Sequence, residues 1–404
     1  MIKKKTGMQF LVYAILPLLT LKMVYSYMGV PFEKMKTGSG WQQLAISDNI
    51  TLVLTYLVLT VVILIFFYKA QEIKGTTETM YALLGFLAAI GWFFVDAFDV
   101  GVENVLYSTS NIWGYVTILA FAIGMQKDLF EVIIRQCIPF AIIFLLYSVV
   151  GYIQFQQQVH KGVLGNSQSL ISMITAFWLF CIGSVHNLKE KKYPFFLIKL
   201  IATAFPIMSL LFGARSWVLQ SIFWLFVYIY LEQSGKGFQK RTKLIFYGAA
   251  ISLVLFFIID KYFNLALNRM LAKGDTRTFQ YEQLFAQINI WDLIIGNGQS
   301  FQYYQNGKLY SYIDNGYLMV LMRYGIWIAV PYVICFVRPL SSVWKVRKKF
   351  GVNIGYVWVI VMWLAALGGL SIYNMVIIDI KSIMLPIVAG YVASHSAEKN
   401  IEIQ

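Results

Sequence analysis

Residues 49–68 read NITLVLTYLVLTVVILIFFY, twenty residues without a charged side chain. An α-helix of about twenty apolar residues is long enough to cross the roughly 30 Å hydrocarbon core of a bilayer. We therefore predict a transmembrane helix over this run, and the same criterion of length and apolar character can be applied outward from it in both directions.

Apolar runs of similar length occur on both sides of this one. The first follows the basic residues 1–5 and ends near residue 28 without a small-x-small cleavage site, which predicts a retained signal-anchor helix. The others cover residues 80–97, 105–125, 137–153, 167–186, 193–213, 217–231, 244–260, 316–337, 352–372 and 376–394. The predicted fold is an all-α polytopic integral membrane protein with about twelve transmembrane helices, in a single membrane domain over residues 1–404.

The composition excludes a single soluble globule. Hydrophobic residues make up 59% of the chain and charged residues 13%, with a mean hydropathy of +0.66, whereas soluble domains carry about 25% charged residues. The net charge of +14 would point to nucleic acid in a soluble protein, but here basic residues must first be sorted by membrane side, and we expect no nucleic-acid partner. The three cysteines lie in apolar runs, so neither a disulfide framework nor a Cys-based metal site is predicted.

The basic residues indicate how the chain is oriented, because Lys and Arg are enriched in cytoplasmic loops. With both termini in the cytoplasm, most of the 33 Lys and Arg fall in loops on the cytoplasmic side. The longest connection, residues 261–315 between the ninth and tenth predicted helices, then lies outside, and connections of this length usually carry function. Within it, residues 263–273 and 278–291 have helical spacing of apolar residues, which predicts two short amphipathic helices at the membrane surface.

Two arginines predicted on the outer side are candidates for binding an anion. Arg215 lies in the turn 213–217 between two apolar helices, and Arg277 lies in the long outer loop shortly after Arg269 and Lys273. A guanidinium presents a planar fork of donors that suits phosphate oxygens. The alternatives are snorkelling of Arg215 to lipid headgroups and a solvated basic loop around Arg277. Positive charge is scarce on this side, which favours an anion clamp.

Glycine, aromatic and acidic residues follow in the second half of the loop. Gly296 and Gly298 allow positive φ angles and close backbone approach. Asp314 and Asn315 stand where the chain re-enters the membrane, either as a helix cap or, for Asp314, as a base that removes a proton from a sugar hydroxyl. The neighbouring aromatics form either a membrane-interface belt or a platform for sugar rings. They are Phe301, Tyr303, Tyr304, Tyr310, Tyr312 and Tyr317.

The order of these motifs resembles the bacterial Wzy-type O-antigen and capsule polymerases and their relatives, the O-antigen ligases. The motifs are Gly-Ala-Arg-Ser at 213–216, Arg277, Gly296-x-Gly298, Asp-Asn-Gly-Tyr-Leu at 314–318 and Tyr-Gly at 324–325. The layout of about a dozen helices with a large outer loop late in the chain is similar too. Ala214 departs from the commoner Ser before the arginine. Ligases commonly have His where Asp314 stands, so Asp314 favours a polymerase.

The resemblance implies a GT-C type membrane glycosyltransferase in the bacterial plasma membrane, with its active site on the outer face. It would join undecaprenyl-diphosphate-linked oligosaccharide repeat units into O-antigen or capsular polysaccharide, with membrane lipids and a chain-length regulator as further partners. The implied catalytic residues are Asp314, Arg215 and Arg277. The implied substrate-binding residues are Asn315, Tyr303, Tyr304, Tyr310, Tyr312, Tyr317, Arg269 and Lys273. Because the arginines would stabilise the leaving diphosphate, neither a metal nor another cofactor is expected.

Two other functions stay open, an O-antigen ligase that transfers polymer to lipid A core and a flippase for the same lipid-linked oligosaccharides. Transporters commonly have repeated halves and helices broken near the bilayer midplane, and the sequence indicates neither feature. For a transporter, the residues of interest are the charges within predicted spans, Lys22, Lys199 and Arg323, although Lys22 also suits snorkelling.

A second group of outer carboxylates lies at the end of the third predicted helix, where Asp96, Asp99 and Glu103 follow one another. We expect these residues in a solvated outer loop, with contacts to sugars or basic neighbours as the alternative. A purely structural or chain-length-regulating protein is a third possibility, but it gives no reason to gather Arg, Asp and Tyr on one outer face.

Overall fold

The computed structural model describes residues 2–28, 49–70, 77–107, 112–159, 164–212, 214–233, 276–311, 313, 315–345, 354–370 and 378–401. In chain order the helices are α1 (Ile2–Met28), α2 (Asn49–Ala70), α3 (Thr77–Val100), α4 (Val102–Tyr107), α5 (Trp113–Val116), a 3₁₀ turn (Thr117–Ala120), α6 (Phe121–Met125), α7 (Lys127–Ile134), α8 (Cys137–Val159), α9 (Leu164–Glu190), α10 (Phe195–Leu211), α11 (Arg215–Glu232), α12 (Thr276–Phe285), α13 (Ile290–Ile294), α14 (Gly316–Lys345), α15 (Ile354–Leu370) and α16 (Ile380–Ile401). Strands β1 (Tyr303–Gln305) and β2 (Lys308–Tyr310) form an antiparallel hairpin between α13 and α14.

Six helical segments in the described part of the chain are long and apolar enough to cross a bilayer. They are Gly7–Val24, Asn49–Lys69, Thr77–Val100, Lys127–Ile153, Ser169–Glu190 and Gly316–Ser341. Shorter apolar helices accompany them, among them α10 and α11. The chain is therefore a mostly helical polytopic membrane protein, as predicted. The predicted span at 244–260 and the predicted amphipathic helix at 263–273 lie outside the described residues.

Two predicted helices are interrupted. Residues 105–125 were expected to form one span, and in the described residues from Trp113 to Met125 a 3₁₀ turn at Thr117–Ala120 separates α5 from α6, while residues 108–111 lie outside the described part of the chain. The Thr117 hydroxyl donates a 2.7 Å hydrogen bond to the Gly114 carbonyl oxygen, a local bond that competes with regular helix geometry. Likewise, the amphipathic helix expected at 278–291 is divided into α12 and α13.

The described residues form two compact units. The first contains Met1–His186, Ile290–Phe301 and Tyr312–Gln404. In it α3 packs along α14, where Arg338 Nε lies 3.1 Å from Glu78 Oε1. Helix α14 also packs against α15 and α16, and α16 packs against α6 and α7, with the rings of Phe130 and Tyr391 stacked 4.0 Å apart. The first unit thus brings early and late helices of the chain together.

The contact between α6 and α16 is made through glycines. A Cβ added to Gly124 would lie 1.8 Å from the Ile387 carbonyl oxygen, and one added to Gly390 would lie 2.0 Å from the Phe121 carbonyl oxygen. No side chain fits in either place. The two backbones therefore touch directly, as at small-residue helix contacts in membranes.

The second unit contains Asn187–Asn289 and Gln302–Ser311. Helices α10 and α11 pack together in it, and Lys199 Nζ lies 2.7 Å from Glu232 Oε2 across the pair. The turn before α10 is closed by Asn187, whose side-chain amide hydrogen-bonds both the N–H and the carbonyl of Tyr193. Helix α12 and the hairpin also belong to this unit, while the single membrane domain over residues 1–404 stays a prediction.

Candidate functional site

Helix α14 is broken at Gly325, whose backbone has φ 63° and ψ −167°. Such a break frees carbonyls that would otherwise accept bonds within the helix, and these must find other donors at membrane depth. The Met322 carbonyl accepts from the Asn297 backbone N–H at 2.9 Å and from its side-chain amide at 3.1 Å. The Arg323 carbonyl accepts from the Gly298 N–H at 2.7 Å. The sequence indicated no broken helix, and the structure contains one in α14.

The glycines of the 296–298 turn make this contact sterically feasible. Gly296 and Gly298 have φ angles of 95° and 76°, as predicted for this turn. A Cβ on Gly296 would lie 2.6 Å from the Arg323 carbonyl oxygen, and one on Gly325 would lie 2.4 Å from the Ile294 carbonyl oxygen. The close backbone approach predicted from the sequence therefore exists, and the partner is the broken helix itself.

A buried carboxylate lies at this junction. Asp96, on α3, has 0% of its surface exposed, and its Oδ1 accepts a 2.8 Å hydrogen bond from the Gln299 N–H. The guanidinium of Arg323, itself only 7% exposed, interacts electrostatically with the same carboxylate. The expectation of a solvated loop is wrong for Asp96 because these non-local partners enclose it, whereas Asp99 and Glu103 are exposed as expected.

Aromatic side chains complete the surroundings of this carboxylate. Tyr324 lies near Asp96, and its ring meets Tyr115 and Trp92 at centroid distances of 5.4 and 5.5 Å. The Trp92 indole N–H donates to the Tyr324 carbonyl oxygen at 3.2 Å, which satisfies a third carbonyl freed by the break. We call Asp96, Tyr115, Arg323 and Tyr324 the buried ion cluster. Ionisable groups enclosed within candidate membrane spans are candidate functional residues.

The start of α14 is capped by a predicted site residue. The Asn315 side-chain oxygen accepts hydrogen bonds from the N–H groups of Tyr317 at 3.0 Å and Leu318 at 3.2 Å, which is N-cap geometry. The Tyr317 hydroxyl donates to the Leu364 carbonyl oxygen of α15 at 3.4 Å. Asn315 thus fixes the first turn of the helix that contains the break, and Asp314, directly before it, lies outside the described residues.

The hairpin divides the predicted tyrosine platform into two faces. Tyr303 and Tyr310 are paired across the strands, and Tyr303 is only 2% exposed, with its hydroxyl accepting from the Gln280 amide of α12 at 2.7 Å. Tyr304 is paired with Leu309 on the other face and is 57% exposed. Tyr303 therefore holds the hairpin to α12, while Tyr304 presents a ring that a sugar can stack on. Tyr312 lies outside the described residues.

The two predicted anion-binding arginines each lie in the first turn of a helix. Arg215 is the first residue of α11, and Arg277 is the second residue of α12. Both helices belong to the second compact unit. The side chains of these arginines lie outside the described part of the chain, as do the whole residues Arg269 and Lys273.

The three basic residues singled out within predicted spans, Lys22, Lys199 and Arg323, each interact with other residues of the protein. Lys22 Nζ donates to the Ile378 carbonyl oxygen at the start of α16 and lies near the Asp379 carboxylate. The partner of Lys199 is Glu232, as described above, and that of Arg323 is Asp96. Lys22 is therefore bound by the residues directly before α16, which argues against the alternative that it snorkels to headgroups.

Sequence reasoning did not identify Trp92, Tyr115, Asn297 and Gln299 as site residues. One signal for the cluster was present, since Asp96 and Arg323 are opposite charges in separate apolar runs, and such charges usually pair. The hairpin also had a signal, the Asn306-Gly307 dipeptide, which favours a tight turn with positive φ at both residues. Their φ angles are 53° and 72°.

Comparison of the chain with protein-family models, with curated proteins and with solved structures found no match. The fold and the site define the class of protein by themselves. It is a polytopic α-helical membrane protein with a buried ion cluster at a broken helix.

Proposed function

We propose that the protein is a membrane glycosyltransferase that polymerises undecaprenyl-diphosphate-linked oligosaccharide repeat units at the outer face of the bacterial plasma membrane. The proposal includes the finer layout of about twelve transmembrane helices, both termini in the cytoplasm and the long loop 261–315 outside. It rests on the order of motifs from residue 213 to residue 325 and on one structural observation about the two arginines.

That observation is the position of Arg215 and Arg277 in the first turns of α11 and α12. The first N–H groups of a helix have no acceptor within the helix, and its N-terminus is the positive end of the helix dipole. The N-cap position of α11 is occupied by Ala214, whose side chain has no acceptor for these groups. An arginine thus stands in the first turn of a helix twice in one unit, a pattern that suits the negative charge of a diphosphate.

The chemistry of the proposed reaction uses these residues in defined roles. A hydroxyl of the acceptor sugar attacks the anomeric carbon of the donor, and the bond from that carbon to the diphosphate oxygen breaks. The lipid diphosphate leaves with the bonding electron pair, and Arg215 and Arg277 stabilise the charge that develops on it. Asp314 takes the proton from the attacking hydroxyl, while Asn315 holds the helix that follows and Tyr304 offers a ring face for a sugar.

The test is a reaction of the purified full-length protein with a lipid-diphosphate-linked repeat unit in the presence of EDTA, followed by gel or mass analysis. A ladder of products that depends on Arg215, Arg277 and Asp314 supports the proposal. Wild-type levels of polymer from Arg215→Ala, Arg277→Ala and Asp314→Ala would contradict the proposed site, and the absence of any ladder from the wild-type protein would contradict the activity.

The break in α14 favours a second candidate, a flippase for the same lipid-linked oligosaccharide, because broken helices with buried charges are common in transporters. Reconstituted liposomes distinguish the two functions. Movement of the lipid from one leaflet to the other without elongation would identify a flippase, and elongation without movement would identify a polymerase.

A further inference from the structure

The turn at residues 296–299 and the broken part of α14 make one continuous contact. The N–H groups of Asn297 and Gly298 bind carbonyls of α14, and the next N–H, that of Gln299, binds Asp96 Oδ1. Three successive backbone donors are therefore used between α3 and α14. An unsatisfied backbone group at membrane depth is costly, so these bonds and the break depend on each other.

Asp96 interacts with both parts of this contact. It accepts a hydrogen bond from the turn, and its charge acts on α14. Its Oδ1 holds the turn through Gln299, and its charge acts on Arg323, whose own carbonyl is bound by Gly298. A Cβ on Gly298 would lie 2.8 Å from the same Oδ1, so the turn fits closely against the carboxylate. Asp96 is thus in contact with the turn and within electrostatic range of the last residues before the break.

The segment fixed in this way is the outer part of α14, residues 316–324. It begins directly after Asn315, which caps it, and Asp314 is one residue further upstream. The outer part of α14 is less than three helical turns long, and the residue to which the proposed reaction assigns the base stands two positions before it in the sequence. Asp96 has no exposed surface, so it does not itself contact substrate.

We propose that Asp96 is a positioning residue, which clamps the broken outer part of α14 through the Gln299 N–H and the charge of Arg323, and that glycosyl transfer depends on this clamp. The effect on transfer rests on the proposed function, whereas the clamp itself does not. Misplacement of a reacting group by about 1 Å is enough to cost two orders of magnitude in rate, so a residue remote from the substrate can control turnover.

The clamp is tested by hydrogen–deuterium exchange of the purified full-length protein. Asp96→Ala removes the acceptor of the Gln299 N–H, and we expect exchange in a peptide covering residues 296–301 to rise about tenfold or more. Asp96→Asn keeps an acceptor oxygen and should give a smaller rise. The matched control is Asp99→Asn, an exposed carboxylate three residues further on the same helix. Exchange equal to wild type in Asp96→Ala would overturn the clamp.

The positioning role is tested by polymerisation kinetics. For Asp96→Asn we expect kcat to fall at least about tenfold with KM within about twofold of wild type, because the residues assigned to diphosphate binding are unchanged. The double variant Asp96→Asn/Arg323→Gln should lose less activity than the sum of the two single losses, since both substitutions remove the same charge interaction. Wild-type kcat in Asp96→Asn, or additive losses in the double variant, would overturn the role. If the wild-type protein forms no ladder, the proposed function has failed, and the exchange result still decides on the clamp.

Discussion

Gly325 has a backbone conformation that side-chain-bearing residues almost never adopt, with φ 63° and ψ −167°. We expect Gly325→Ala to reduce the free energy of unfolding by at least about 1–3 kcal/mol, through backbone strain and contact with the Ile294 carbonyl. Thermal unfolding in detergent measures this. Gly91→Ala is the control, because Gly91 is helical and has no heavy atom within 4 Å of an added Cβ, so its midpoint should stay equal or rise. If the unfolding midpoint of Gly325→Ala equals that of Gly91→Ala, the helix break at Gly325 is not required for stability.

The planar shape of the guanidinium group predicts how the proposed diphosphate site responds when arginine is replaced by lysine. Arg215→Lys and Arg277→Lys keep the positive charge but lose the planar bidentate donors, so we expect each to restore little of the polymer lost in the alanine variants. Gel analysis of polymer length, at matched protein levels in the membrane, measures the effect. Full activity of both lysine variants would show that charge alone is needed and would remove the argument for a bidentate diphosphate contact.

Among the structural elements, the hairpin depends on α12 for its position. Gln280 donates to the buried Tyr303 hydroxyl, and Gln287 bonds both the N–H and the carbonyl of Tyr304. Gln280→Met should remove one hydrogen bond to the Tyr303 hydroxyl, which still donates to Gln305 Oε1 at 3.3 Å, at a cost of about 1 kcal/mol, and increase hydrogen exchange in residues 303–310. The exposed Glu282 of the same helix provides the control, Glu282→Gln. Unchanged exchange in Gln280→Met would mean that the hairpin is held by other contacts.

The structural elements also show which features of the fold were predictable from the sequence and which were not. Spans such as residues 49–68 were predictable because twenty apolar residues determine a membrane helix locally. The helix break at Gly325 was not, because it requires donors from Asn297 and Gly298, which come from a separate element. The burial of Asp96 depends on Gln299, 203 residues away in the chain. Tyr303 was identified by type, but its burial depends on the pairing of the strands and on α12.

For the molecule as a whole, the predicted sidedness can be measured with introduced cysteines. The natural cysteines, Cys137, Cys181 and Cys335, are all buried, so background labelling by a membrane-impermeant maleimide should be low. We expect Ser300→Cys to be labelled on intact cells with an accessible outer face, and Glu190→Cys only after permeabilisation, since both positions are exposed on opposite predicted sides. Labelling of both, or only of Glu190→Cys, on intact cells would contradict the orientation.

The glycine contact between α6 and α16 has a mechanical consequence. Because the Gly124 and Gly390 backbones touch the opposite helix, sliding one helix past the other would drive a side chain into a carbonyl. The two helices therefore keep a fixed register and form a rigid pair inside the first unit. A conformational change of the kind used by alternating-access transporters therefore cannot move α6 relative to α16. Any hinge in this unit must leave the two helices moving as one rigid body.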